Sequence, residues 1–370
     1  MRLSLYRVAY VTIIVTMKLT LQIKLLPDAD QHAALLKTMG VFNDACNFIS
    51  EVAFREQCTS KFSLQKLVYA DVRAQFGLSA QLTILAVHKV VDAYKRDKTI
   101  QPQFRPTGAT IYDQRVLSFK GLEAVSILTM DGRLTIPMQM GEYQRVQFNR
   151  GHGQADLVLV DGTFYLLLVV ETPEAPPTTP TGFLGVDLGI VQIASDADGE
   201  SFTGATVEAT RRRYHTLRKD LQANGSRSAR RHLKRINRKE ARFRRNYNHV
   251  ISKKLVLKAK GTSRGIALED LKHIRARTTV RRADRAKHSG WSFAQLQEFI
   301  CYKAKLQGVI VQYIDPRNTS RTCNACGHIA KANRKTQSRF LCVSCGHTVN
   351  ADEGAAINIA AKGKLSCCLA

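Results

Sequence analysis

Apolar and polar residues alternate through MKLTLQIKLLP (17–27), which predicts a strand closed by Pro27. The period then changes. From about residue 30 to 98, apolar residues recur at three and four in HAALLKTMGVFNDACNFISEVAF and LTILAVHKVVDAYKR, predicting helices. From about 104 to 171 the pattern returns to strands, as in EAVSILTMDGRLTIPM and VQFNRGHGQADLVLVDGTFYLLLVV. Asp131-Gly132 and Asp161-Gly162 mark hairpin turns there. A strand, a helical insert and further strands predict a β-barrel-like domain interrupted by a helical one. TPEAPPTTPTG (172–182) holds four of the nine prolines and reads as the linker at the main domain boundary.

Beyond it, FLGVDLGIVQIASDADGESF predicts an apolar strand, a turn at Asp198-Gly199 and a second strand. In 208–258, Leu233, Ile236, Glu240, Phe243, Tyr247 and Val250 fall three and four apart, predicting a pair of amphipathic helices broken near Asn224-Gly225. GIALEDL (265–271) is a buried-looking strand ending in acids. A helix over 291–308 follows, with Ser292 as cap and Gly308 as stop, and then a strand at VIVQYID.

Charge changes this picture more than composition does. Among 370 residues, 56 Lys and Arg against 30 Asp and Glu give +26, and 208–258 alone carries 18 basic and 3 acidic residues. Such a surplus calls for a polyanion, because neutralised phosphates release condensed counterions. No stretch approaches the roughly 18 apolar residues that cross a bilayer, so nucleic acid is expected and a membrane is not. The candidate contacts are Arg211, Arg212, Arg213, Arg230, Arg231, Lys234, Arg235, Arg238, Arg242 and Arg245 on the basic helices. Arg281 and Arg282 join them from the second basic stretch, 272–287. MRLSLYRVAYVTIIVT has a basic start and a short apolar run but no small-residue cleavage site. An unsecreted, cytoplasmic and nucleoid-associated protein is expected, with residues 1–16 an extension and Met17 a candidate start.

Cys323, Cys326, Cys342 and Cys345 follow the spacing C-x2-C-x15-C-x2-C. Each CxxC turn can present two thiolates to one ion; four thiolates complete a tetrahedron and leave no place for water, so a structural zinc is expected. His328 and His347 are read as bystanders. A phosphate-binding chain without an evident nucleophile points to hydrolysis by Mg²⁺ ions held on carboxylates. Three acids end or interrupt apolar segments: Asp187 in LGVDLGI, the Glu269-Asp270 pair in GIALEDL, and Asp352 in NADEGAAINIA. Alternation along a strand lets only one of Glu269 and Asp270 share a site with Asp187.

Taken in order, GVDLGI, the basic helices, ALEDL, TSRTCNACG, the second CxxCG and NADEGAAINIA resemble the TnpB-type transposon-encoded nucleases, relatives of the compact type V CRISPR effectors. LLPDADQHAALLKTMGVFNDACNFIS and FRPTGATIYDQRVLSF extend the resemblance to the first half. It implies an α/β and α+β multidomain fold. A wedge-like β-barrel (17–29 and 101–171) would carry a helical recognition insert (30–100). An RNase H-like (RuvC) nuclease domain (183–370) would contain the zinc-binding insert (320–347). It also implies Asp187, Glu269 and Asp352 as the catalytic, magnesium-holding acids and the four cysteines as zinc ligands. The partners would be a guide RNA from the transposon end and double-stranded target DNA, cut beside a short adjacent motif by a monomer. Gly354 and Ala351 depart from the Asn and Arg common in the family. Two alternatives stay open: a guide-dependent DNA-binding protein that does not cut, and an accessory transposition factor acting without RNA.

Overall fold

The computed structural model describes residues 15–148, 152–271, 293–336 and 338–367. The chain divides into two compact units, the first ending at Pro173 and the second beginning at Glu174. Among the described residues no helix is long and apolar enough to cross a membrane.

The first unit is a near-closed antiparallel barrel with a three-helix insert. Its strands are β1 (Thr16–Leu25), β2 (Thr110–Tyr112), β3 (Leu117–Lys120), β4 (Ala124–Thr129), β5 (Gly132–Gln139), β6 (His152–Val160) and β7 (Thr163–Pro173). They pair in the order β2-β6-β7-β1-β5-β4-β3. Alternate residues of β7 are buried along most of its length, from Phe164 through Thr172, as one apolar face demands. At the β6–β7 hairpin both Asp161 and Gly162 have positive φ, at 51° and 80°, the mirror-image turn that matches the strand twist. The insert comprises α1 (Ala29–Arg55), α2 (Lys61–Phe76) and α3 (Ala80–Tyr94). Asp28 and Gln31 close a capping box on α1, and Gly77 ends α2 in the left-handed conformation. A short helix, α4 (Glu142–Phe148), precedes β6.

β7 runs through Thr172 and Pro173, two residues into the segment read as linker. The remainder is hydrogen-bonded within the second unit: Ala175 N donates to Lys305 O at 3.1 Å and Thr178 N to Gly308 O at 3.0 Å.

The second unit holds a mixed sheet. Its strands are β8 (Phe183–Asp187), β9 (Gln192–Asp196), β10 (Ser201–Thr203), β11 (Gly265–Glu269) and β12 (Val311–Ile314), in the order β10-β9-β8-β11-β12. β8, β11 and β12 run parallel, while β9 and β10 are antiparallel. The first four residues of both β8 and β11 are buried without alternation, the signature of strands covered on both faces. One face meets Leu255 of α7 (Lys239–Gly261) and Ile300 of α8 (Phe293–Gln307) through Leu184, Val186, Ile266 and Leu268. The other face meets α9 (Ala351–Cys367), with Phe183 and Ala267 packed on Ile359.

The basic region corrects the expectation of two helices. It forms three: α5 (Ala205–Asn224), α6 (Arg227–Ile236) and α7. Gly225 makes the expected break, and a second falls at Asn237-Arg238, where Arg238 adopts φ 63°. Left-handed backbone at a non-glycine residue leaves no mark in the sequence, so the periodicity runs through this break unseen. Ser292 lies outside the described residues; α8 begins at Phe293, and Gly308 follows its end with φ 69°. β13 (Arg339–Leu341) and β14 (Thr348–Asn350) form a small hairpin in the cysteine-rich region.

Candidate functional site

Strand alternation places the acids. Along β8, Phe183, Gly185 and Asp187 share one side; along β11, Ala267 and Glu269 do the same. Because Phe183 and Ala267 face α9, Asp187 and Glu269 emerge on that face at the ends of neighbouring parallel strands. Asp352 stands in the first turn of α9. Asn350 fixes where that helix starts, its Oδ1 accepting from Asp352 N at 3.0 Å. Asp270 has the opposite parity and bears on Tyr313, whose phenol is held protonated by burial first and by this charge among others.

α9 approaches β8 unusually closely. A Cβ on Gly185 would lie 2.0 Å from Ala356 O and 2.4 Å from Ala360 N. A Cβ on Gly363 would lie 2.9 Å from that of Ala267. Only bare backbone at these crossings lets the helix lie flat on the sheet with Asp352 beside Asp187.

The electrostatics report the same convergence. Burial pushes the Asp187 carboxyl up to about 7; Glu269 and then Asp352 add to the rise, and Arg334 opposes it. Burial raises Glu269 as well, against the Thr319 hydrogen bond and the Lys362 charge. Asp352 is raised by burial and restrained by Arg334, whose Nη2 donates to Asp352 Oδ1 at 3.2 Å. Three carboxylates crowded away from water form a site that gains from a bound cation. Oxygen donors of this kind suit a hard divalent ion.

Cys323, Cys326, Cys342 and Cys345 bring their sulfurs within 4.8 Å of one another. Cys323 and Cys345 are 3.7 Å apart, as are Cys326 and Cys342. A tetrahedron with Zn–S bonds of about 2.3 Å has edges of about 3.8 Å, so the four thiols fit a zinc-binding cluster. The two knuckles repeat one design. Cys323 N donates to His328 O and Cys342 N to His347 O, around Gly327 and Gly346 at φ 74° and 77°. The N–H groups of Cys345 and Ser344 hold the Cys342 thiol down to about 6, towards the thiolate a metal needs. The His328 side chain is exposed and that of His347 partly buried. Ala351, where an Arg is common, is 1% exposed against Cys323, Phe340 and Cys342. A Cβ on Gly354 would meet Val349 Cγ1 at 3.0 Å.

Two residues at this site have no distinguishing signal in the sequence. Arg334 lies between the knuckles among other basic residues, and only the fold carries it to Asp352. Thr319 stands four residues before the first cysteine; its Oγ1 donates to Glu269 Oε1 at 2.6 Å.

The basic helices expose most of the expected cations. All five of α6, which include Arg230, Arg231, Lys234 and Arg235, are exposed, and the helix is anchored by Ala229 and Ile236. Arg213, Arg238, Arg242 and Arg245 are also exposed. Arg211 differs, paired through two hydrogen bonds of 2.8 and 2.9 Å to Glu208, which also takes Arg212 Nε. Arg281 and Arg282 lie outside the described residues.

Residues 167–273 match the family model described as a probable transposase, and residues 293–359 match the Cas12f1-like TNB domain. Asp187 and Glu269 fall in the first match, Asp352 and the cysteines in the second. The CRISPR-associated endodeoxyribonuclease Cas12f1 of Sulfoacidibacillus thermotolerans is 34% identical over 194 residues, 48% of this chain and 44% of that protein. InsQ of Escherichia coli (strain K12), whose name proposes an RNA-guided DNA endonuclease, is 28% identical over 55% of this chain and 54% of its own length. A TnpB-like protein of Methanocaldococcus jannaschii is 34% identical over 34% of this chain and 45% of its own. The chain thus spans about half the length of the curated relatives it matches. Among solved structures, a Cas12f1–sgRNA–target DNA complex shares the fold at a TM-score of 0.64 and 13% identity, over 93% of this chain and 99% of that one. With the matches falling on the acids' strands and on the zinc-binding cysteines, the second unit carries a segment matching the OrfB probable-transposase family and a Cas12f1-like TNB zinc-finger domain, and the chain is related to TnpB-like proteins and to the compact type V effectors.

Proposed function

We propose that this chain is an RNA-guided, magnesium-dependent DNA endonuclease that hydrolyses target DNA beside a short adjacent motif. The observation that carries the proposal is the meeting of Asp187, Glu269 and Asp352, from β8, β11 and α9, on one face at the end of a parallel strand pair. An antiparallel β8-β9-β10 meander continued by parallel β11 and β12 supports an RNase H-like (RuvC) reading of the second unit. In the first unit, the helix-interrupted barrel supports a wedge-like domain with a recognition insert. The names of the relatives support the chemistry.

Asp187, Glu269 and Asp352 would hold the catalytic ions, since carboxylate oxygens are the donors that hard divalent cations take. Bound there, Mg²⁺ supplies an acidified water and neutralises charge on the cleaved phosphate. The protein's own part is to orient the carboxylates: Thr319 aims Glu269, Arg334 restrains Asp352, and the α9 contact at Gly185 sets Asp352 against Asp187. In the overall change a water oxygen bonds to phosphorus, one P–O ester bond breaks, and the leaving oxygen takes a proton. The four cysteines would hold a zinc ion, which would stiffen the insert that carries Arg334. The exposed cations of α5–α7 fit the backbone of a guide–target duplex, with base pairing supplying the sequence specificity.

Protein co-expressed with the DNA flanking its gene should copurify with a discrete RNA and cut a matching plasmid only with Mg²⁺. Asp187→Ala should abolish cutting and retain the RNA. Unchanged cleavage by Asp187→Ala would sink the site assignment. Guided binding without cutting by the intact protein would favour the DNA-binding alternative.

A further inference from the structure

Glu269 ends β11, and its carboxylate is not steered by that strand alone. Thr319 is 3% exposed and lies in the loop joining β12 to the first zinc knuckle. Its Oγ1 is 2.6 Å from Glu269 Oε1 and 3.0 Å from Pro316 O. A hydroxyl has one proton to give; the nearer, anionic acceptor takes it, because hydrogen bonds to charged groups are the shorter and stronger ones. The loop is itself held at several points by α9. Asn358 Nδ2 donates to Thr319 O and Thr322 O, both at 2.8 Å. One turn on, Lys362 Nζ donates to Asp315 O at 3.0 Å and Arg317 O at 2.6 Å. Asn358 and Lys362 therefore clamp both ends of the loop to the helix that carries Asp352 in its first turn. On the far side of the site, Arg334 reaches Asp352 from between the knuckles.

We infer that Thr319 is a positioning residue: its hydroxyl orients the Glu269 carboxylate for the metal ions, and the Asn358–Lys362 clamp ties that orientation to the helix bearing Asp352. This rests on the proposed magnesium site. Loop and α9 together make two acids from distant segments move as one unit. Partners of this kind behind a ligand are worth about 10–100-fold in metal affinity.

The test is Mn²⁺ binding to the zinc-loaded full chain by titration calorimetry, with Glu269→Gln defining the binding that belongs to this site. Thr319→Val keeps the shape and removes the donor. It should weaken the Glu269-dependent binding by about tenfold or more, while Thr319→Ser stays close to wild type and zinc content stays equal in all three. Equal binding by wild type and Thr319→Val overturns the inference. So does Thr319→Ser binding as weakly as Thr319→Val, which would assign the effect to methyl packing. Should Thr319→Val lose its zinc or its cooperative melt, Thr319→Ala against Thr319→Ser makes the same comparison, since both lack the methyl and differ only in the hydroxyl. Wild type without any Glu269-dependent binding overturns the magnesium site itself, and this inference with it.

Discussion

At the scale of single residues, parity along two short strands decides the site. Asp187 and Glu269 are legible in the sequence because each closes an apolar run, and alternation states which neighbours share their face. Glu269 and Asp270 cannot be separated by the run alone; the packing of Ala267 on α9 separates them. Arg334 and Thr319 are illegible, because a basic residue in a basic insert and a threonine in a loop look like any other until the chain folds. Away from the site, His249 stacks on Phe299 with centroids 3.9 Å apart. Burial, with Lys303 and Arg245, holds its imidazole down to about 4. Folded, it is neutral at pH 5; unfolded, it takes a proton below its ordinary value of about 6.5. The unfolded state therefore binds more protons in that window, and stability falls as pH drops from about 6.5 to 4. His249→Phe retains a stacking ring and removes the titration. Its thermal melts should lose less between pH 7.5 and pH 5 than those of wild type, and parallel losses would count against this account.

At the scale of elements, the four-cysteine cluster and the proposed magnesium site are joined through α9. The helix starts where the cysteine-rich hairpin ends, and it crosses β8 at Gly185 with no room for a side chain. Gly185→Ala has to push Ala356 and Ala360 away from the strand. It should destabilise the protein by about 1–3 kcal/mol in denaturant titrations and remove cleavage by separating Asp352 from Asp187; a variant with wild-type stability and activity would refute the close crossing. Metal analysis should find about one zinc per chain. Chelation or Cys342→Ser should release it and raise amide exchange across 318–350 and the first turn of α9, while the barrel strands β1–β7 keep their protection. The basic helices show the limit of periodicity at this scale: the Asn224-Gly225 break is signalled by a turn dipeptide, whereas the break at Arg238 has none.

At the scale of the whole molecule, charge governs the partner. A surplus of +26, with all five α6 cations exposed, makes nucleic-acid affinity an ionic quantity. The logarithm of the RNA association constant should fall linearly with the logarithm of salt concentration. Replacing Arg230, Arg231, Lys234 and Arg235 by Ala should reduce the slope by about 3, at roughly 0.7 per lost phosphate contact on a single strand. An unchanged slope would remove α6 from the interface. The two units follow from different signals, alternation on one face in the barrel and uninterrupted burial in β8 and β11.

By itself the sequence determined the succession of strands, helices and strands, the zinc-ligand spacing, the excess of positive charge, and three acids closing apolar segments. Each is a local matter of period, spacing or composition. Tertiary structure decided that Asp187, Glu269 and Asp352 meet, that Arg334 and Thr319 join them, and that Gly185 must remain bare. Those relations depend on which face of β8 a helix more than 160 residues away comes to cover, and no local pattern carries a distance of that kind.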